Sequence, residues 1–157
     1  EQTKTEGSFS QQLYLPVRQL GILLQSQGYQ DEAITAFRQL QNIVHRHYGV
    51  YSPLQLETLS FIINSHIQKG DIDAADLQHQ FSYRVSMKSF SPNQLEYTDA
   101  KIKLADWYRF TARFDKALKL YKESALNLNP HQIMKRQGYH VLAAGSTSSR
   151  PPRASPL

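Results

Sequence analysis

QGYQDEAITAF at residues 27–37, KGDIDAADLQH at 69–79 and TARFDKALKLY at 111–121 are three versions of one phrase. Gly28, Gly70 and Ala112 stand 42 residues apart, and Asp31, Asp73 and Asp115 keep the same step, as do Ala33, Ala75 and Ala117. Three residue types sharing one period mark a repeat protein, in which each unit buries only the faces it shares with its neighbours. The small residue closes one helix with a left-handed turn that glycine adopts without strain. Ala112 therefore predicts a tighter or less left-handed third turn. The aspartate is expected to cap the next helix, with Asp73 doing so in the second unit. The alanine that follows marks a close helix crossing.

Outward from these turns the apolar spacing is helical. Leu13, Val17, Leu20 and Leu24 trace one face, and Ala33, Phe37, Leu40 and Val44 the face of the helix that follows. Leu59, Ile62, Ile63 and His66, then Ile72, Ala75, His79 and Tyr83, give a second pair. Lys101, Leu104, Ala105 and Tyr108, then Ala117, Tyr121, Ala125 and Leu128, give a third. Pro53, Pro92 and Pro130 fall outside helix interiors, and Pro16 is placed in the first turn of a helix beginning near Leu13. The expected fold is all-α, a right-handed superhelix of three antiparallel helix hairpins. The hairpins cover about 10–49, 50–91 and 92–130, with 1–9 disordered. Residues 131–144, with Ile133, Met134, Val141 and Leu142, are expected to form a short capping helix for the open end. The sequence from 145 to 157, rich in small residues and proline, reads as a disordered basic tail.

The motif Leu20-Gly21, Gly28-Tyr29, Asp31-Glu32-Ala33 and Phe37 resembles a tetratricopeptide repeat. Val17, Leu20, Gly21, Leu24, Gly28, Ala33 and Phe37 match it in the first unit. Leu104, Ala105, Tyr108, Ala112, Ala117 and Tyr121 match in the third. The second unit, with Ile62, Ile63, His66, Gly70, Ala75 and His79, matches least well. A step of 42 rather than the usual ~34 is similar to the long-helix variant of kinesin light chain, and implies that the second helix of each pair is extended. The Gly49-Val50-Tyr51-Ser52 segment is similar to the connector in multi-repeat bacterial proteins of unassigned function.

The resemblance implies a concave groove lined by the first helix of each pair. By register that face carries Arg18, Ile22 and Gln25, then Ser60, Asn64 and Ile67, then Ile102, Asp106 and Arg109. Asn64 stands where carboxylate-clamping relatives have an asparagine, but Ile22 and Asp99 break the clamp. The implied ligand is therefore an internal peptide segment or a partner's helix. The expected function is a non-catalytic protein-interaction scaffold. The alternative is a fragment of a longer solenoid that self-associates, as a homodimer, through its ends.

Composition narrows the remaining classes. The chain carries a formal charge of +5, yet residues 131–157 hold four basic and no acidic residues, which leaves a nearly neutral body. Such a body releases few counterions, so nucleic acid, including RNA read by helical repeats, is not an expected partner. No stretch approaches the ~20 apolar residues of a membrane span. With no cysteine, thiolate metal sites and cysteine nucleophiles are excluded. His45 and His47 diverge on a helix and read as exposed polar residues, while His66 and His79 read as hydrogen-bonded core substitutes. Asp71, Asp73 and Asp76 lack the glycine and terminal glutamate of a calcium loop. Ser60 and His66 do not form a nucleophile and base, and no phosphate loop is present. No enzyme activity, metal or cofactor is expected. The tail motif at 150–156, RPPRASP, reads as linker rather than as a docking or phosphorylation site. A start at Glu1 implies a cut or processed chain, which leaves the compartment open: cytoplasmic, or periplasmic or secreted if a signal peptide was removed.

Overall fold

The computed structural model describes residues 11–127. The capping helix expected at 131–144, the tail and the segment 1–9 lie outside them, as do Leu128 and Pro130. Among the described residues six α-helices follow one another: α1 Tyr14–Ser26, α2 Gln30–Tyr48, α3 Leu56–Gln68, α4 Ile72–Ser89, α5 Leu95–Phe110 and α6 Phe114–Asn127. Short 3-10 turns at Gln11–Leu13 and Pro53–Gln55 lead into α1 and α3. The substantial helix contacts run between consecutive helices, from α1 on α2 through α5 on α6. That serial pattern of hairpins is a solenoid. As the period implies, the second helix is the longer in the first two hairpins: α2 has 19 residues and α4 has 18, against 13 each in α1 and α3. In the third, α5 has 16 residues and α6 has 14 described residues.

The three hairpin turns share one backbone geometry. Gly28 and Gly70 have φ of 86° and 76°, and Ala112 has 58°. In each turn the small residue's N–H donates to the carbonyl three back, and the next N–H reaches five back: Tyr29 to Leu24, Asp71 to His66, Arg113 to Tyr108. Ala112 is thus left-handed like the glycines, contrary to the expectation of a different turn. The bonding pattern closes the helix only in that conformation, so alanine accepts it at a cost of about 1–2 kcal/mol.

The capping expectation needs a second correction. Asp71, not Asp73, caps α4, its carboxylate accepting from the Ala74 N–H at 3.1 Å. Asp31 sits in the first turn of α2 and pairs instead with Lys69 at the far end of α3. Proline does act as expected: Ser52 caps the turn that Pro53 opens, and Pro16 lies in the first turn of α1.

The landmark alanines Ala33, Ala75 and Ala117 are buried, as close crossings require. Gly21 is buried for the same reason, since a Cβ built there would lie 2.6 Å from the Phe37 ring. The core sits at the joints between repeats. One cluster combines Ala33, Phe37 and Leu40 of α2 with Ile62 of α3. The other combines Ala75 of α4 with Leu104, Ala105 and Trp107 of α5 and Leu120 of α6. Leu20, Ile72 and Ala125, assigned to buried faces by spacing, are exposed.

A polar lock fastens the connector between the first two repeats. The fully buried Gln55 donates through its amide to the Val50 and Ser52 carbonyls. Its own carbonyl accepts from Gln41 at 3.2 Å and from the His45 Nε2–H at 2.8 Å. His45 is thus half-buried and engaged, while His47 is exposed. His66 is buried as expected but not hydrogen-bonded as expected: Asp71 comes no nearer than 3.5 Å to its Nδ1, and burial lowers its pKa.

Candidate interaction cleft

Three helices enclose a cleft of about 530 Å³ at the joint between the second and third repeats. From α3 come Leu56, Ser60, Ile63 and Ile67, and from α4 come His79, Ser82, Tyr83 and Ser86, with Phe90 just past its end. From α5 come Glu96, Asp99, Lys103, Asp106 and Phe110, with Ala100, Leu104 and Trp107 beneath them. The lining residues of α3, among which Ile63 is buried, and the outer residues of α5 recur at alternating steps of three and four, which keeps each set on one helix face. One wall is therefore mostly aliphatic, and the facing wall carries three carboxylates, one ammonium and a phenyl ring.

Aromatic rings form one end of the cleft. His79 of α4 stacks on Trp107 of α5 with centroids 4.3 Å apart, and Trp107 stacks on Phe110 at 5.6 Å. Phe110 is 68% exposed. The indole cannot rotate freely, because its N–H donates to Asp76 at 2.6 Å. Asp76 also accepts from Gln80 at 2.7 Å and pairs with Arg113. The Arg113 contact is the main reason that the Asp76 pKa falls to about 2, with the Trp107 and Gln80 bonds adding to it against the opposing effect of burial. Burial dominates at His79 and pushes its pKa down to about 4, despite the nearby Asp76 carboxylate. His79 is therefore a neutral ring at neutral pH, as a stacking partner should be. Burial likewise raises the Tyr83 pKa.

The nine residues expected to line a groove are spread over three settings. Ser60, Ile67 and Asp106 line the cleft. Asn64, Ile102 and Arg109 lie on the same two helices outside its lining, and Arg109 is 3.5 Å from Asp106. Arg18, Ile22 and Gln25 serve the first joint. Arg18 pairs with Glu57 and lies 5.6 Å from the Phe61 ring centroid, while Ile22 packs on the first core cluster. Gln25 donates to the Phe61 carbonyl at 2.9 Å and to the Ser65 hydroxyl at 2.7 Å.

The two joints thus differ in how their first helices meet. At the first, Arg18 and Gln25 reach across from α1 to α3. At the second, the equivalent Ser60 turns its hydroxyl back to the Leu56 carbonyl, and Ile67 has no polar end to extend. The α4 wall and the α5 residues Glu96, Lys103 and Phe110 were absent from the expected set. The run of steps from Glu96 through Asp99, Lys103 and Asp106 to Phe110 was the sequence signal that could have found the α5 part.

Among the described residues, no group of three metal-ligating side chains comes together and no helix is long and apolar enough to cross a membrane. Fold and cleft together define a helical-repeat protein of the hairpin solenoid class. Among solved structures the chain is similar to BtubC (BKLC) from P. vanneervenii, a kinesin light chain-like protein, with a TM-score of 0.64 and 14% identity. The match covers 94% of this chain and 57% of that one, so the chain spans little more than half the length of its neighbour. At that identity the likeness concerns the fold alone. No protein-family model and no curated protein matches the sequence.

Proposed function

We propose that the chain is a non-catalytic protein-interaction scaffold, whose cleft holds a peptide segment or a helix of a partner protein. The observation that carries this reading is the cleft itself. It combines a mostly aliphatic wall, an exposed aromatic ring and a few charges, all held on rigid helices. Ligand clefts have that make-up, with an apolar majority and a few placed polar groups that fix orientation. Ser60, Ile67 and Asp106 are the contacts assigned to it.

Trp107 is the sole tryptophan, so its emission reports on the cleft without a label. Peptides selected by display on the intact chain should shift that emission. The exposed Ser60 can be changed to Arg, which fills the cleft mouth, and S60R should weaken those peptides about tenfold with helix content unchanged. Selected peptides that leave Trp107 and S60R affinity untouched would place the interaction elsewhere.

A second reading rests on α1. Leu15 and Leu23 there are 62% and 58% exposed, an apolar edge suited to a second copy of the chain. Light scattering over a tenfold or greater concentration range tests it. A dimer that Leu15→Glu with Leu23→Glu returns to monomer would favour self-association, and a monomer throughout would remove that reading.

A further inference from the structure

The two long walls of the cleft differ in chemistry as well as position. On α3, Leu56, Ile63 and Ile67 present branched aliphatic side chains with only Ser60 between them. On α5, Glu96, Asp99 and Asp106 outnumber Lys103, so the lining carries a formal charge of −2, reduced to −1 by Arg109, which stands just outside it 3.5 Å from Asp106, while the whole chain is +5. Asp106 also accepts from the Tyr121 hydroxyl. Phe110 continues the same stripe at its end, backed by the fixed Trp107 ring. The exposed Glu96 carboxylate at one end and the exposed Phe110 face at the other are suitable receptors for cationic side chains, through ion pairing and cation–π attraction respectively. The stripe from Glu96 to Phe110 rises about 21 Å along its helix, close to four turns.

We infer that the partner segment is a basic amphipathic helix, its apolar face on the Leu56–Ile63–Ile67 wall and its Lys/Arg edge along the Glu96–Asp99–Asp106–Phe110 stripe. This rests on the scaffold reading and adds the chemistry of the occupant. A helix fits because both walls repeat at the spacing of helical ridges, which a helical ligand can match over several turns. An extended strand, with its period of two, would match neither wall. Lys103 refines the charge pattern. It lies four residues from Asp99 and three from Asp106, so it opposes a cation at the middle of the edge. The ligand's basic residues therefore fall into two groups, separated by a neutral or acidic position.

The test uses the full chain and two synthetic peptides with the same leucine positions at helical spacing. One carries lysines on the flank in two groups, and its twin carries glutamates in their place. Trp107 emission and calorimetry give the affinities, and circular dichroism of the mixture against its components gives any gain in helix. The lysine peptide should bind at least tenfold more tightly than its twin, weaken about tenfold on raising salt well past physiological levels, and become more helical on binding. The chain carrying Glu96→Lys with Asp106→Lys, checked for retained helix content, should reverse the preference. Equal binding of the two peptides, an unchanged preference in the reversed chain, or binding with no gain in helix would overturn the inference. If a neutral leucine-rich peptide shifts Trp107 and the lysine peptide does not, the scaffold reading survives and the charge assignment fails. If no peptide of any charge perturbs Trp107, both fall.

Discussion

The imidazole of His79 lies on the indole of Trp107 with ring planes 22° apart, so a side chain from the second repeat meets one from the third in a flat stack. Phe37 on Phe61 is the same relation one repeat earlier, with centroids 4.9 Å apart. Each joint is therefore closed by one ring-on-ring contact between a second helix and the next first helix. The later stack includes a titratable ring, and that has a consequence for acid stability.

The His79 pKa is about 4 in the folded chain, below the ordinary 6.5, so the unfolded state takes up its proton first as pH falls. Its contribution to stability is fully present above pH 6.5 and is lost between there and about 4. His66, also lowered by burial, acts in the same direction. Asp76, held near 2 by Arg113, adds a further loss as pH falls below 3.8. Melting temperature measured against pH should fall in these two windows. In His79→Phe the upper slope should shrink and the lower one persist. Superimposable profiles would show that His79 does not titrate as described.

Gly21→Ala should destabilise the chain by about 1–3 kcal/mol, because the added methyl meets the Phe37 ring, which is itself pinned on Phe61. Phe37→Leu alone should also destabilise. The double variant should be more stable than the sum of the two changes implies, since the smaller side chain makes room for the methyl. Additive denaturation midpoints would mean that the two residues do not share that space.

Ala112→Gly should raise stability by roughly 0.5–1 kcal/mol, because glycine removes the left-handed strain while giving back part of the gain as unfolded-chain entropy. Gly28→Ala and Gly70→Ala should lower it by about 1 kcal/mol each. No atom lies within 4 Å of a Cβ built at either glycine, so the effect is backbone strain and not a clash. Chemical denaturation of the three variants reads the signs directly.

Gln55→Ala should cost about 2–4 kcal/mol, beyond the value of one hydrogen bond. It strips partners from two connector carbonyls and from His45 and Gln41 at a fully buried site. Hydrogen exchange should locate the loosening in α2 and the start of α3. A loss confined to α5 and α6 would show that the lock does not act at its own joint.

The step of 42 made the hairpins, the two glycine turns and the long second helices of the first two repeats readable, because each follows from a local rule about spacing or backbone conformation. The left-handed turn at Ala112 was missed because that rule favours glycine and the hydrogen-bonding pattern overrode it. The cleft was readable only in part. Register says that Gln25, Ile67 and Arg109 are equivalent, but not that the first bonds to α3, the second lines a cleft and the third, exposed, turns back to Asp106 on its own helix. Those outcomes depend on neighbouring repeats of different sequence. His79 was legible as a core substitute and not as a cleft wall, because its partner Trp107 has Ser65 as its equivalent one repeat earlier. The exposure of Leu20 and Ile72 was hidden because periodicity marks a helix face without saying whether anything covers it.

The two apolar clusters straddle joints, and the densest packing links each helix to the next, with single polar contacts such as Arg18 to Glu57 reaching one helix further. Damage in such a chain stays near where it is done. A substitution beside Phe37 loosens the first seam and leaves the second fastened, so the protein resembles a row of separately buttoned panels more than a sealed shell. Variation can therefore accumulate in the first repeat without disturbing the shape of the cleft.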